Sequence, residues 1–196
     1  MGSQPDRETI SRRASRRGAA VATAGNSGRR VGYASALTML EAADGERRDY
    51  FELAEALTEF SSQTTSDLRQ LWRRIAFSIA VHNTDDHLRN HGFLRERSGW
   101  SLSPAFDMNP NPDLAEGRVT SVGGASSPID EVAALISNAA VFDLTHDHAR
   151  QILFDVFTAT AEWKVVARRN GIAESEIAEF SPALDASMKA LRDAAE

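Results

Sequence analysis

The chain has 196 residues, 42% of them hydrophobic and 26% charged, with no cysteine. That length holds one domain or a domain with an extension, and the absence of thiols excludes a disulfide framework and a thiolate zinc site. No apolar run approaches the roughly 18 residues of a membrane helix, and the Arg-rich start lacks the apolar core of a signal peptide, so the expected location is the cytoplasm, with no membrane partner.

Charge is unevenly placed. Residues 1–30 carry seven Arg against Asp6 and Glu8, whereas residues 31–196 carry 15 basic and 26 acidic side chains, a balance of −11. Residues 1–28 show neither helical nor strand periodicity and are expected to form a disordered, Arg-rich leader, leaving 29–196 as the folded domain. An acidic body disfavours direct nucleic-acid binding by the folded part.

In chain order, Ser35–Ala43 is predicted as a short helix with Leu37, Met39 and Leu40 on its apolar side. Phe51, Leu53, Leu57 and Phe60 predict a second helix over Asp49–Phe60. Thr65 or Ser66 is the expected cap of a third, Asp67–His82, whose Leu68, Leu71, Trp72, Ile75, Ile79 and Ala80 share one face. The period breaks there, and His82–Asn90 reads as a loop delivered by the end of a buried helix. Gly92–Arg95 and Trp100–Ser103 read as the strands of a hairpin turning at Ser98-Gly99. Arg118–Val122 reads as another short strand. Helices are then expected over Pro128–Ala139, over Thr145–Asn170 with Gly171 as its stop, and over Ser175–Ala195 with a break at Ser181-Pro182. The fold class is mainly α with a small β-hairpin.

The chemistry concentrates in Ala80–Pro110, which reads AVHNTDDHLRNHGFLRERSGWSLSPAFDMNP. Asp85, His87 and Asn90 form D-x-H-x-x-N, and Asp107 follows after the hairpin. One Asp, an Asn five residues on and a second Asp behind a hairpin are what phoshoryl transfer requires. The first Asp orients a hydroxyl and accepts its proton, while Asn and the second Asp hold Mg²⁺ against nucleotide phosphates. Mg²⁺ takes hard oxygen ligands and keeps several waters, so two protein ligands plus phosphate oxygens suffice. On this reading Asp85 is the base, Asn90 and Asp107 are the metal ligands, His87 and Arg89 assist at the phosphates, and Asp86 is a solvated carboxylate without a task. His82 and His91 read as structural or solvated, and Trp72, Trp100 and Trp163 as core.

The run NTDDHLRNHGFL…WSLSPAFD resembles the HipA-type serine/threonine kinases, the toxins of bacterial toxin–antitoxin pairs, through Thr84, Asp85, His87, Arg89, Asn90 and Phe106-Asp107. Arg89 stands where that family usually has Lys, which keeps the charge and changes the shape. The segment Arg29–Gly45 also looks like the family's approach to its C-terminal lobe. The resemblance implies a kinase C-terminal lobe, ATP and Mg²⁺ as cofactors, Phe106 beside the nucleotide, a protein substrate with a Ser or Thr hydroxyl, and a helix-turn-helix antitoxin as partner. A kinase also needs an N-terminal lobe with a glycine loop and a phosphate-contacting Lys. This sequence has no Lys before Lys164, and Gly25-Asn26-Ser27-Gly28 follows no strand pattern, so the N-terminal lobe is expected to be absent.

Two functional readings follow. In the first the chain is a kinase module. In the second it is a truncated, inactive lobe that serves as a binding module or pairs with a separately encoded N-terminal lobe. A third, metal-hydrolase reading would gather His82, Asp85, Asp86 and His87, with His146 and Asp147, around a transition metal. It leaves Asn90 and Asp107 without purpose.

Overall fold

The computed structural model describes residues 30–196 and the strand Val21–Thr23. The expected leader over residues 1–28, with Gly25–Gly28 inside it, otherwise lies outside the described residues. Val21–Thr23, for which the sequence shows no strand period, is β1. It pairs antiparallel with β2 (Arg30–Ser35), Val21 opposite Gly32. β4 (Gly92–Arg95) and β5 (Trp100–Leu102) are the expected hairpin and complete a sheet in the order β1-β2-β4-β5. A second, parallel pair joins β3 (Arg48–Asp49) to β6 (Thr120–Ser121).

The remainder is helical: α1 (Ala36–Met39), α2 (Tyr50–Phe60), α3 (Thr64–Ala80), α4 (Pro128–Ser137), α5 (His146–Thr160), α6 (Trp163–Arg169) and α7 (Glu174–Ala195). Short 3-10 turns cover Leu88–Asn90 and Ala139–Phe142. No helix among the described residues is long and apolar enough to cross a membrane.

The central rod is α3. Its buried residues Leu68, Leu71, Trp72, Ile75 and Ile79 recur every three or four positions and meet α2, α4, α5 and α7. Trp72 is fully buried, and its indole N–H donates to Leu135 O at 3.4 Å. Trp100 is also core, whereas Trp163 is half-buried on α6. α2 starts at a capping box: Asp49 accepts from Phe51 N at 2.9 Å and Glu52 accepts from Asp49 N at 3.0 Å.

Four local expectations need correction. α3 begins at Thr64, after Gln63, which makes no side-chain cap, and Asp67 in its first turn accepts from Ser61 Oγ at 2.7 Å and Leu102 N at 3.0 Å, tying that turn to β5. The first helix stops at Met39, since Glu41 takes a left-handed φ of 50°. The long helix over Thr145–Asn170 divides into α5 and α6 where its apolar stripe runs out, for α6 buries no residue. Conversely α7 runs through Ser181-Pro182: Pro182 is exposed, while Ile177, Ala183, Leu184 and Met188 hold the helix to the core.

Gly92 is required where β4 leaves the site loop. A Cβ there would strike the Tyr33 ring and sit 2.7 Å from Ser103 Oγ. Gly92→Ala should therefore cost about 1–3 kcal/mol by overpacking. In a Tyr33→Ala background the same substitution should cost less, which urea unfolding of the four-member cycle measures. Equal costs in both backgrounds would show that the ring is not the obstacle.

Candidate functional site

The site is built where α3 ends. Ala80 is its last residue, and His82 follows at φ 50°, a conformation that costs a β-carbon-bearing residue about 1 kcal/mol and turns the chain sharply. His82 is held there from two sides. Its Nε2 lies 3.2 Å from Asp113 O and its Nδ1 lies 3.5 Å from Ser187 Oγ of α7. The loop from Asn83 to His91 then alternates. Asp85 is exposed, Asp86 is 3% exposed, His87 is half-buried, Leu88 is buried, Arg89 is exposed and Asn90 is buried.

Asp86 corrects the sequence reading most plainly. The expected solvated carboxylate is the interior anchor of the loop. Its Oδ2 accepts the Tyr50 hydroxyl in a short hydrogen bond and the Ser78 hydroxyl at 3.2 Å. Its Oδ1 lies 3.0 Å from Nε2 of His91. Burial alone would push this carboxyl up, but His91, Tyr50 and Arg118 together outweigh it and hold it below the ordinary Asp range. The same burial, reinforced by the Asp86 charge, pushes the Tyr50 hydroxyl well above the usual tyrosine range, so it stays a donor.

Arg118 closes the network. Its Nη1 donates to Ser78 Oγ at 2.8 Å and to Asn83 O at 2.5 Å, while Nε and Nη2 grip Glu131 of α4 at 2.8 and 3.2 Å. Burial disfavours its charge, yet Tyr50, Glu131 and Asp86 more than compensate, and its pKa is raised. His91 stands edge-on to Tyr50 with ring centroids 5.6 Å apart. The predicted structural role of His82 and His91 agrees with their burial.

Asn90 turns its Nδ2 to Asp85 O at 3.3 Å. Its Oδ1 has no hydrogen-bond partner among the described residues. Asp107 lies in the extended segment after β5, at φ 56°, exposed, with Oδ1 accepting from Asn109 Nδ2 at 2.8 Å. Both ends of that segment are stapled to the flanks of the site loop. Ser103 N donates to Gly92 O at 2.8 Å, Asn111 N donates to His82 O at 3.0 Å, and Asn111 Nδ2 donates to Thr84 Oγ1 at 2.7 Å. Arg74, buried in α3, supports the near end by donating to Ser103 O at 2.6 Å. Burial lowers its pKa, against the opposing charges of Asp86 and Asp67. The segment that carries Asp107 is thus anchored at both ends to the flanks of the loop of Asp85 and Asn90. Phe106, next to it, exposes 43% of its surface.

Two expected phosphate-side groups are placed less simply. Arg89 is ion-paired with Asp44 of the loop before β3. His87 lines a cleft of about 110 Å³ with Leu37, Asp44, Arg89 and Val119, and its Nδ1 is buried without a partner.

Asn90 Oδ1 and the Asp107 carboxylate are hard oxygens, the donor chemistry Mg²⁺ selects, and both retain an oxygen not used by the protein. Among the described residues no three His, Asp or Glu side chains gather into a metal site of their own. The metal-hydrolase arrangement is corrected on this ground: His82 and Asp86 are consumed by internal contacts, and His146 and Asp147 open α5 instead. Sequence reasoning missed Tyr50, Ser78, Arg118 and Glu131. The signal available was small, a Ser and an Arg placed within otherwise apolar or loop segments.

A mainly helical lobe carrying a small sheet is the class of fold that the comparisons also find. Residues 5–164 match the model of the HipA-like C-terminal domain, and the chain belongs to that family. Among solved structures it is similar to a chain of the Shewanella oneidensis MR-1 toxin–antitoxin complex of HipA, HipB and operator DNA, with a TM-score of 0.63 and 13% identity. That match covers 87% of this chain and 46% of the other, so this chain spans about half the length of its structural neighbour. The likeness carries the fold alone. No curated protein matches the chain.

The lowered pKa of Asp86 fixes a sign. A carboxyl held below its unfolded value of about 3.9 contributes stability that is present above that pH and is lost as pH falls through the folded value. Urea unfolding should therefore show wild type losing more stability than Asp86→Asn between neutral pH and pH about 3. At neutral pH, Asp86→Ala should cost about 1–3 kcal/mol, because it strands the buried Tyr50 hydroxyl. Parallel pH dependences for wild type and Asp86→Asn would contradict this.

Proposed function

We propose that this chain is the phosphoryl-transfer lobe of a HipA-like protein kinase that uses Mg²⁺ and ATP to modify a Ser or Thr hydroxyl of a protein. The observation that carries the reading is the two-sided tether of the Asp107 segment to the loop of Asp85 and Asn90, through Gly92, His82 and Thr84. Asn90 Oδ1 and the Asp107 carboxylate would hold Mg²⁺, which supplies charge neutralisation at the phosphates when bound. Asp85, exposed and without a side-chain partner among the described residues, is free to orient an incoming hydroxyl and take its proton. Phe106 offers an apolar face to the nucleotide. Arg89 would reach phosphate only by leaving Asp44, an exposed pair of the kind worth about 0–1 kcal/mol, so the exchange is cheap.

The neighbour in the solved complex stands with HipB and operator DNA. By extension this chain works within a toxin–antitoxin pair and meets an antitoxin of helix-turn-helix type. Its folded part is acidic, so contact with DNA would run through that partner. Cytoplasmic location belongs to the same proposal.

A second reading rests on Arg89, the phosphate-side cation of the loop, being taken up by Asp44. On that reading the lobe binds nucleotide or antitoxin without turnover, or completes a separately encoded N-terminal lobe.

Calorimetry of the full chain with ATP, with and without Mg²⁺, tests the first step. Wild type should gain affinity from Mg²⁺, and Asp107→Ala should lose about tenfold, equivalent to about 1.4 kcal/mol. Asp85→Asn should keep that binding and lower phosphoryl transfer by about 10²–10⁴-fold, which radiolabel transfer reads. Identical Mg²⁺ responses in wild type and Asp107→Ala would overturn the proposed metal site. Binding without transfer in any assembly would select the second reading.

A further inference from the structure

Asp86 sits between two residues that face outward, yet its own carboxylate is sealed beneath them. A buried acid is a poor device for stability, since an apolar side chain of similar size commonly serves as well or better. It supplies direction instead. Its two oxygens are addressed from three elements: Tyr50 at the start of α2, Ser78 near the end of α3, and His91 just before β4. With these contacts made, Asp85 is exposed while Asn90 bonds back to the Asp85 carbonyl.

The wiring extends further. Arg118 touches Ser78 Oγ and Asn83 O with one nitrogen and fastens to Glu131 with the others. Val119 N, the next residue along, donates to Thr84 O at 2.9 Å. Tyr50 follows Asp49, which accepts from Ser121 Oγ at 2.5 Å, so the strand pair β3–β6 closes the circuit. Asp85 itself stays exposed.

We propose that Asp86, acting through Tyr50 and Ser78, is a positioning residue that holds Asp85 and Asn90 in the arrangement required for Mg²⁺–nucleotide engagement. It touches neither nucleotide nor metal. The inference rests on the kinase reading above and adds to it a buried tyrosine–carboxylate–serine support. Such supporting contacts commonly govern metal affinity by about 10–100-fold.

The test uses the full chain and reads the Mg²⁺-dependent gain in ATP affinity by calorimetry, beside thermal melting. Tyr50→Phe removes one hydroxyl and keeps the ring. It should leave Mg²⁺-free ATP affinity unchanged and reduce the Mg²⁺-dependent gain about tenfold or more. Ser78→Ala removes the second donor and carries the test if Tyr50→Phe does not fold. Leu153→Ala, in the α5 core, is the control for general destabilisation: it should lower the melting temperature and leave the gain intact. If both hydroxyl variants keep the full gain while Asp107→Ala abolishes it, the positioning role is overturned and the kinase reading stands. A loss in the hydroxyl variants no greater than in an equally destabilised Leu153→Ala also overturns the role. If wild type itself shows no gain and matches Asp107→Ala, both the reading and the inference fall.

Discussion

The carboxylate of Asp86, closed under the loop that follows α3 and held by Tyr50 and Ser78, is the contact from which the geometry of the site is set. A charged group is stable in that position only when donors surround it. Here they come from α2, α3 and the approach to β4, with Arg118 behind them. Asp86 is sealed inside a tight turn, His87 N bonding back to Asp85 O at 3.0 Å, and the Asp85 side chain is left exposed. On the proposed reading, the loop's chemistry depends on a residue that takes no part in it.

The second half of the site is placed by main-chain bonds. β5 returns the chain beside β4, Ser103 meets Gly92, and Asn111 meets both His82 and Thr84. Seven residues, 104 to 110, run between those anchors, and Phe106 and Asp107 among them are exposed. Backbone strain is concentrated in the same place. His82 and Asp107 are two of the four non-glycine residues with positive φ among the described residues. Such conformations persist where surrounding contacts over-determine them, and His82 is gripped by Asp113 and Ser187.

Much of this was legible in the sequence because periodicity reports burial. The 3.6-residue pattern of Leu68, Leu71, Trp72, Ile75 and Ile79 marks α3, and the hairpin is bracketed by Gly92 and Pro104. The mainly helical class with a small hairpin stands as expected. Periodicity fails where polar contacts decide. Asp67 is a first-turn acid as expected, but its carboxylate accepts from Leu102 N across to β5, and the cap position of the helix, Gln63, comes two or three residues before the expected one. Pro182 reads as a break, but the buried residues on either side of it keep α7 continuous. β1 had too few residues to show a pattern, and pairing with β2 supplies its order. In the site, adjacent Asp85 and Asp86 are chemically identical in a sequence. Only their partners separate an exposed acid from an anchor, and those partners, Tyr50 and Arg118, lie 36 and 32 residues away in opposite directions.

Membership of the HipA-like C-terminal domain family and the fold of the HipA neighbour give this arrangement a context. The central claim is that Asn90 and Asp107 share one hard divalent ion while Asp85 stays free of it. Diffraction from crystals of the full chain grown with Mn²⁺ and a non-hydrolysable ATP analogue tests it most directly, because manganese is located by its anomalous signal. The account predicts a peak bonded to Asn90 Oδ1 and an Asp107 carboxylate oxygen, with the remaining ligands from phosphate and water. A peak bound by Asp85 in place of Asp107, or Asn90 and Asp107 directed apart with the ion elsewhere, would contradict it.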